Sequence, residues 1–197
     1  MRGRWIAVCS LSAIACLVSP SVALAGHPQE RQGFWIGFGA GYGSAFATCD
    51  DCGASKRENG GVGYLNLGGT LDDHLLLGVE VSGWSKQQEG VTLNLYNILG
   101  TLTIHPRPSS GFFLKVGAGG AFMDTDIHEG SKTITVDLGN GVGLLAGAGY
   151  DLRVRRNVSI TPTVSFWYGR RGGGRLGELV GNWSHNVVDF TIGVTFH

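Results

Sequence analysis

The sequence predicts an all-β protein: an eight-stranded antiparallel up-and-down transmembrane β-barrel, preceded by a cleavable signal peptide. Three observations carry this expectation. Apolar residues alternate with small or polar ones through most of the chain, the period-two signature of strands whose successive side chains point to opposite faces. Glycine makes up 34 of 197 residues, against a usual share of about 7%, while charged residues reach only 15%. The links between the alternating runs are short turns at one end and longer polar stretches at the other, as in a barrel with two unlike rims.

Composition excludes several classes. With 15 Lys+Arg against 15 Asp+Glu, the chain lacks the basic excess of a nucleic-acid-binding protein. At 43% hydrophobic residues it is too apolar to be disordered by composition. The glycines follow no Gly-X-Y period, which excludes collagen.

Residues 1–25 form an address. Arg2 and Arg4 precede an apolar run from Trp5 to Val18, Pro20 breaks it, and Ala23-Leu24-Ala25 supplies the small-x-small cleavage pattern. The run is shorter than the roughly 20 residues that a transmembrane helix needs. Ala13-Ile14-Ala15-Cys16 only loosely matches a lipoprotein signal. Cleavage after Ala25 leaves a short N-terminal segment, 26–32, and a barrel domain, 33–197. Any membrane role of the mature chain must then use strands.

The strands follow in order. Phe34, Ile36, Phe38, Ala40 and Tyr42 share one face of the first, with glycines opposite. Leu65, Leu67 and Leu71 oppose Tyr64, Asn66, Gly68 and Thr70 in the second. Leu75, Leu77, Val79 and Val81 oppose Gly78, Glu80, Ser82 and Trp84 in the third. The fourth, Val91 to His105, starts on Val91, Leu93 and Leu95 and changes phase near Asn97 to Ile98, Leu102 and Ile104, which predicts a β-bulge. The fifth sets Phe112, Leu114, Val116, Ala118 and Phe122 against Lys115 and small residues. Val142, Leu144, Ala146, Ala148 and Tyr150 mark the sixth, Val158, Ile160, Val164 and Phe166 the seventh, and Val188, Phe190, Ile192, Val194 and Phe196 the last. Longer polar links are expected at 45–60, 86–90, 123–132 and 169–185.

A soluble lipocalin-like barrel has the same period, so the faces must be assigned. Its polar face would meet water and carry many Lys and Glu. Here the non-apolar face is mostly Gly, Ser, Thr and Asn, suited to the narrow interior of an eight-stranded barrel. The apolar face carries aromatics at both ends: Tyr42, Phe122, Phe166 and Tyr168 toward the long links, and Phe34, Phe112, Tyr150 and Phe196 toward the short ones. Two aromatic girdles are the mark of a membrane barrel. The apolar face is therefore expected to face lipid.

The signal peptide, the glycine-alternating strand Gly33 to Gly43 and the terminal strand of spaced apolar residues resemble the small outer-membrane β-barrel family of the OmpA/OmpX kind. So does the stretch Gly147 to Arg153 followed by Val158 to Pro162. The resemblance implies residence in the outer membrane after Sec-type export, insertion by the barrel-assembly machinery, and contact with outer-membrane lipids and lipopolysaccharide. It also implies an assembly signal in the last strand, at Phe190, Ile192, Val194 and Phe196. Family members usually end on the aromatic residue, whereas this chain continues to His197. A monomer with a structural or interaction role is expected, with no cofactor and no nucleic-acid partner.

Candidate sites are few. Glu80 and Lys115 lie on the inward face about five residues above a short-turn rim, on the third and fifth strands, and are expected to pair, since either charge alone in a dry interior would cost several kcal/mol. Cys49 and Cys52 enclose Asp50-Asp51 in the first long link; with no second CxxC to complete a zinc set, a loop disulfide is the expected reading. Gly37-Phe38-Gly39 and Gly117-Ala118-Gly119 start like dinucleotide motifs, but no helix follows to present its N-terminus to phosphate. His128-Glu129-Gly130-Ser131, and Ser184-His185 with Glu178, supply the residue types of a Ser-His-acid set. Because both groups fall in links rather than on an ordered wall, no catalytic site is assigned. Arg170, Arg171 and Arg175 form a basic cluster able to meet lipopolysaccharide phosphates.

Overall fold

The computed structural model describes residues 31–49, 53–54, 56–129, 132–171 and 182–197. The predicted signal peptide and cleavage site fall outside them. Ten strand segments are present among these residues: β1 (Phe34–Cys49), β2 (Gly53–Ala54), β3 (Glu58–Thr70), β4 (Leu75–Gln88), β5 (Val91–Ile104), β6 (Phe112–Glu129), β7 (Lys132–Tyr150), β8 (Leu152–Arg155), β9 (Val158–Arg170) and β10 (Trp183–Phe196). Eight of them form the wall, each antiparallel to its sequential neighbour, and β10 pairs with both β9 and β1 to close it. The two-residue β2 pairs with the end of β1, and β8 is a short extension beside β9. Closure pairs both sides of every wall strand, and so removes the edges that an open antiparallel sheet of this size would expose.

The apolar face looks outward. Phe38 is 50% exposed, Leu67 41% and Val116 47%, although each sits mid-strand. Outward positions of every wall strand follow suit, from Tyr42 on β1 to Ile192 on β10. In water such a surface would be an aggregation hazard; against acyl chains it is the favourable one.

The fourth predicted strand differs from expectation. β5 runs from Val91 to Ile104 in unbroken register with both β4 and β6, so no bulge accounts for its two apolar sets. They occupy opposite faces: Tyr96 and Ile98 point out, while Leu95 and Leu99 are fully buried inside. What reads as a phase change is a strand that is apolar on both sides. Among the described residues, the register shift between long wall strands lies instead between β6 and β7, at Phe122/Asp124. There Gly139 adopts φ +95°, a left-handed value that glycine takes without steric cost.

Two of the expected long links are largely strand. β4 and β5 are joined through Glu89 (φ 52°) and Gly90 (φ 82°), the paired positive values of a type I′ hairpin turn. β6 and β7 continue in ladder to Glu129 and Lys132, so their hairpin is the tallest of the wall. On the β6–β7 extension the outward positions turn polar, with Asp124, Asp126, Thr135 and Asp137, while Ile134 and Val136 alternate with them on the other face; sequence reading took this polar stretch for a link and passed over its period of two.

Candidate functional site in the lumen

The interior divides into two halves of opposite chemistry. Toward the short turns it is polar. Inward-facing Glu80 on β4 and Lys115 on β6 approach to 2.6 Å, Oε2 to Nζ, with both side chains buried. Asn66 Nδ2 donates to the same carboxylate oxygen at 3.3 Å, and the Lys115 ammonium lies 5.3 Å from the centre of the Tyr64 ring. Tyr64 crosses the interior against Gly39 and Gly193, where any Cβ would collide with its ring or hydroxyl. Small residues on β1 and β10 thus make room for the ring that braces Lys115. A cavity of about 40 Å³ remains, bordered by Trp35, Tyr64, Asn66, His105, Lys115 and Asp151. Trp35 Nε1, Asn66 Oδ1, His105 Nδ1 and His197 Nδ1 border it without a protein hydrogen-bond partner, which suits a small cluster of ordered water.

The mouth of this half is closed by a residue that precedes the barrel. Arg31, 1% exposed, donates from Nη1 to the Pro108 carbonyl at 2.9 Å and from Nη2 to the Ser110 carbonyl at 2.8 Å. Its guanidinium also stands 4.0 Å from the Asp151 carboxylate. Asp151 accepts from Thr161 Oγ1 at 2.9 Å, and His105 Nε2 lies 3.5 Å away. Burial pushes the Asp151 carboxyl up, but His105, His197 and the Thr161 hydroxyl together bring it below the ordinary carboxylate value. Burial lowers His105 and takes His197 down to about 4.

Toward the long loops the interior is apolar. Trp84, Leu95, Leu99, Ala121, Leu145, Trp167 and Val187 form one buried cluster that spans the ring of strands. Trp84 Nε1 donates to the Gly43 carbonyl at 3.0 Å, and Trp167 Nε1 donates to the Asp189 carboxylate. These bonds satisfy the polar handle that a buried indole carries. Above them Trp183 stacks on His185, centroids 5.4 Å apart, and donates to the Leu138 carbonyl at 3.0 Å. Leu138 lies beside the Gly139 kink, so the irregular step in β7 presents the carbonyl that anchors the start of β10.

Of the residues singled out in the sequence, Glu80 and Lys115 meet. Ser184 and His185 do not act together: Ser184 faces outward and bonds Thr48 Oγ1 at 3.0 Å, while His185 is buried inside. Glu178, Ser131 and Arg175 lie outside the described residues. His128 bridges Thr92 and Thr133 at 3.2 and 3.1 Å on the tall hairpin. Cys49 ends β1 opposite Trp183 and Gly53; Cys52, and with it the disulfide, lies outside the described residues. Phe190, Ile192, Val194 and Phe196 line the outer face of β10, and the Phe196 ring stands 6.3 Å from that of Phe38 across the closing seam. His197 continues past the seam, its backbone N–H bonding the Asn157 carbonyl at 3.0 Å. Arg170 is exposed on the outer face, whereas Arg171 turns in to the Leu138 carbonyl at 2.8 Å. Among the described residues no group of three or more His, Cys, Asp or Glu side chains is placed to hold a metal ion.

Arg31 and most of the tryptophan cluster were missed from sequence. Arg31 had no signal, since its partners are carbonyls some 77 residues away. The cluster had one: Trp84, Leu95, Leu99, Leu145 and Trp167 all stand at inward parity, yet their small neighbours dominate the pattern.

An outward apolar belt on a closed antiparallel cylinder with inward-pointing charges defines a transmembrane β-barrel of the small eight-stranded outer-membrane type. Solved structures agree. Neisserial surface protein A superposes with a TM-score of 0.57 at 16% identity, covering 85% of this chain and 98% of its own. Ail, the attachment invasion locus protein of Yersinia pestis, gives 0.53 at 11% identity, covering 85% of this chain and 100% of its own. At such identities the likeness is one of fold. No protein-family model and no curated protein matches the chain.

Proposed function

We propose that the protein is an integral outer-membrane barrel that neither conducts nor catalyses, and that serves to present its loop-side surface from a rigid wall. The apolar cluster across the loop half of the lumen carries this reading. Eight strands leave an interior just wide enough for side chains, and here that space holds two tryptophans and several leucines with less than 5% exposure. Ion passage would require several large hydrophobic side chains to leave at once. The split of Ser184 and His185 across the wall supports the non-enzymatic side of the proposal, because nucleophile and base must share hydrogen-bond reach. Export by the Sec route, insertion by the barrel-assembly machinery through the Phe196 end of β10, and life as a monomer complete the reading.

Fractionation and planar-bilayer recording test it together. The expected result is recovery with the outer membrane, release only by detergent, heat-modifiable gel migration and no step conductance. Discrete conductance steps from the purified wild-type barrel would overturn the closed-lumen reading. An altered lipid A composition in a deletion strain, restored by wild type but not by Ser184→Ala, would overturn the non-enzymatic one.

A further inference from the structure

At the turn-side mouth the wall gathers a set of hydrogen-bond acceptors, and an arginine from outside the wall fills it. The acceptors are held by bonds that Arg31 does not make. Ser110 N–H closes the β5–β6 turn on the Arg107 carbonyl at 2.9 Å, which sets the Pro108 and Ser110 carbonyls in place. Asp151 N–H donates to the Gly111 carbonyl at 2.8 Å, so the Asp151 backbone is tied to the same turn. From β9, Thr161 Oγ1 donates to the Asp151 carboxylate at 2.9 Å. The site is therefore a property of the closed wall.

Its occupant arrives on a strap. Residues 31–33 precede β1, and both Gln32 and Gly33 are exposed. The Gly33 carbonyl accepts from Thr70 N–H at 2.9 Å. Gly33 itself takes φ +76°, a left-handed value, and among the described residues nothing beyond its chain neighbours lies within 4 Å of a Cβ built there. The chain thus turns into the mouth on a glycine with open space around it. Inside, Arg31 lays Nη1 on the Pro108 carbonyl and Nη2 on the Ser110 carbonyl, with its guanidinium 4.0 Å from Asp151. Two acceptors for the fork beside an anion suit a planar guanidinium better than a compact ammonium. Arg153, also buried at this end, bonds the Arg156 carbonyl instead.

We propose that the turn-side mouth is a binding site for an alkylguanidinium group, kept occupied by Arg31 until an outside ligand displaces it. When Arg31 leaves, Asp151 and the two carbonyls lose their shared cation in a buried place, a costly vacancy. An incoming guanidinium restores the same bonds, so exchange is far easier than emptying. Release also joins the mouth to the cavity of about 40 Å³ that Asp151 borders, where Trp35 Nε1 and His105 Nδ1 have no protein partner. The apolar cluster above keeps the lumen shut throughout, so the site receives a ligand without passing it on. This role goes beyond the presentation of loops and needs only the closed barrel.

The test is an NMR titration of the mature barrel in neutral detergent, read at the Trp35 indole N–H. The probes are n-propylguanidinium, which reproduces the arginine stem, and n-propylammonium. Arg31→Ala is expected to give a saturable shift with the guanidinium probe only. The wild type is expected to give the same shift with an apparent affinity about tenfold weaker, because only barrels with an open mouth can bind. Asp151→Asn in the Arg31→Ala background is expected to lose the response. A blocked Ala-Arg-Ala peptide distinguishes the source of the group: tighter binding than the probe assigns it to an arginine of another polypeptide, weaker binding to a free solute. No saturable shift in Arg31→Ala overturns the proposal, as does an equal response to the ammonium probe. Equal affinity in wild type and Arg31→Ala overturns it too, since the probe would then bind elsewhere. A wild type silent at about a hundred times the Kd of Arg31→Ala would show that Arg31 is a fixed anchor and not an exchangeable occupant. Should Arg31→Ala not migrate as a barrel on gels, Arg31→Gln takes its place, and the wild-type response needs no variant. Discrete conductance by the wild type would sink the closed-lumen reading and leave the titration intact, so the two fail separately.

Discussion

The two halves of the lumen close the same narrow cylinder by different physics. At the loop end, closure is by dispersion and area: Trp84, Leu95, Leu99, Leu145, Trp167 and Val187 interlock, and their side-chain polar atoms, two indole N–H groups, are each bonded. At the turn end, closure is by charge. Arg31, Asp151, Lys115 and Glu80 are all 5% exposed or less, and the pairs among them lie between 2.6 and 4.0 Å. Apolar packing tolerates no vacancy, because each missing group leaves its neighbours without contacts. Charged packing tolerates no single deletion, because the surviving partner is left desolvated. The polar half also retains the cavity and the unpartnered polar atoms that border it, while the apolar half encloses Asn97 and His185, whose side-chain polar atoms have no protein partner either.

That contrast is sharpest at Trp167. Truncation to alanine removes the indole from the centre of the apolar cluster and strips Asp189 of its donor. Trp→Ala in a core costs about 3–5 kcal/mol, and a buried carboxylate without its hydrogen bond adds to that. Trp167→Ala is expected to lose at least about 4 kcal/mol in urea unfolding from lipid vesicles, the largest effect expected of any single substitution in the lumen. A loss below about 1 kcal/mol would mean that the loop half is loosely packed and the contrast false.

How much of this is legible in sequence follows from what each face must satisfy. Within the apolar belt the outer face answers to one partner, lipid. Phe34 to Tyr42 and Val188 to Phe196 therefore alternate cleanly and are read correctly. The inner face answers to different neighbours at each level. Gly39 and Gly193 exist for Tyr64, Leu99 for the tryptophans, Glu80 for Lys115. Such positions look irregular until the closed ring brings them together. Glu80 and Lys115 could be matched because two lone charges on inward positions have few alternatives. Arg31 could not, since nothing near it in sequence marks the carbonyls of Pro108 and Ser110 as its destination.

Acid should act on the turn half through its buried histidines. His197 is held down to about 4 from 6.5, burial being the largest cause, and His105 is lowered in the same sense. Both are neutral when folded and protonate near 6.5 when unfolded. Their contribution is present above that value and is lost as pH falls from about 6.5 toward about 4. Asp151, lowered when folded, gives way in a separate window below the usual carboxylate value. Between about pH 7 and about pH 4.5 a loss on the order of 1–2 kcal/mol is expected, read as a shift of the urea midpoint. His105→Asn/His197→Asn should flatten this slope. An unchanged slope in that variant would place the acid sensitivity elsewhere and remove one distinction between the halves.

The smallest change is expected where both lumen charges are removed together. Lys115→Met alone leaves Glu80 2% exposed with Asn66 left to satisfy it, at a cost of about 3 kcal/mol. Glu80→Gln/Lys115→Met has no charge to strand. The introduced glutamine would keep a hydrogen bond to Asn66, and the methionine would fill the space beside the Tyr64 ring, whose centre is 5.3 Å from the lysine ammonium. The double variant is therefore expected within about 1 kcal/mol of the wild type, with a coupling energy near the full cost of the single change. If the double variant is as unstable as Lys115→Met, the pair is not an isolated couple. The charges of the turn half would then act as one network reaching from Glu80 to Arg31, and closure at that end would depend on the whole set, as the apolar half depends on its whole cluster.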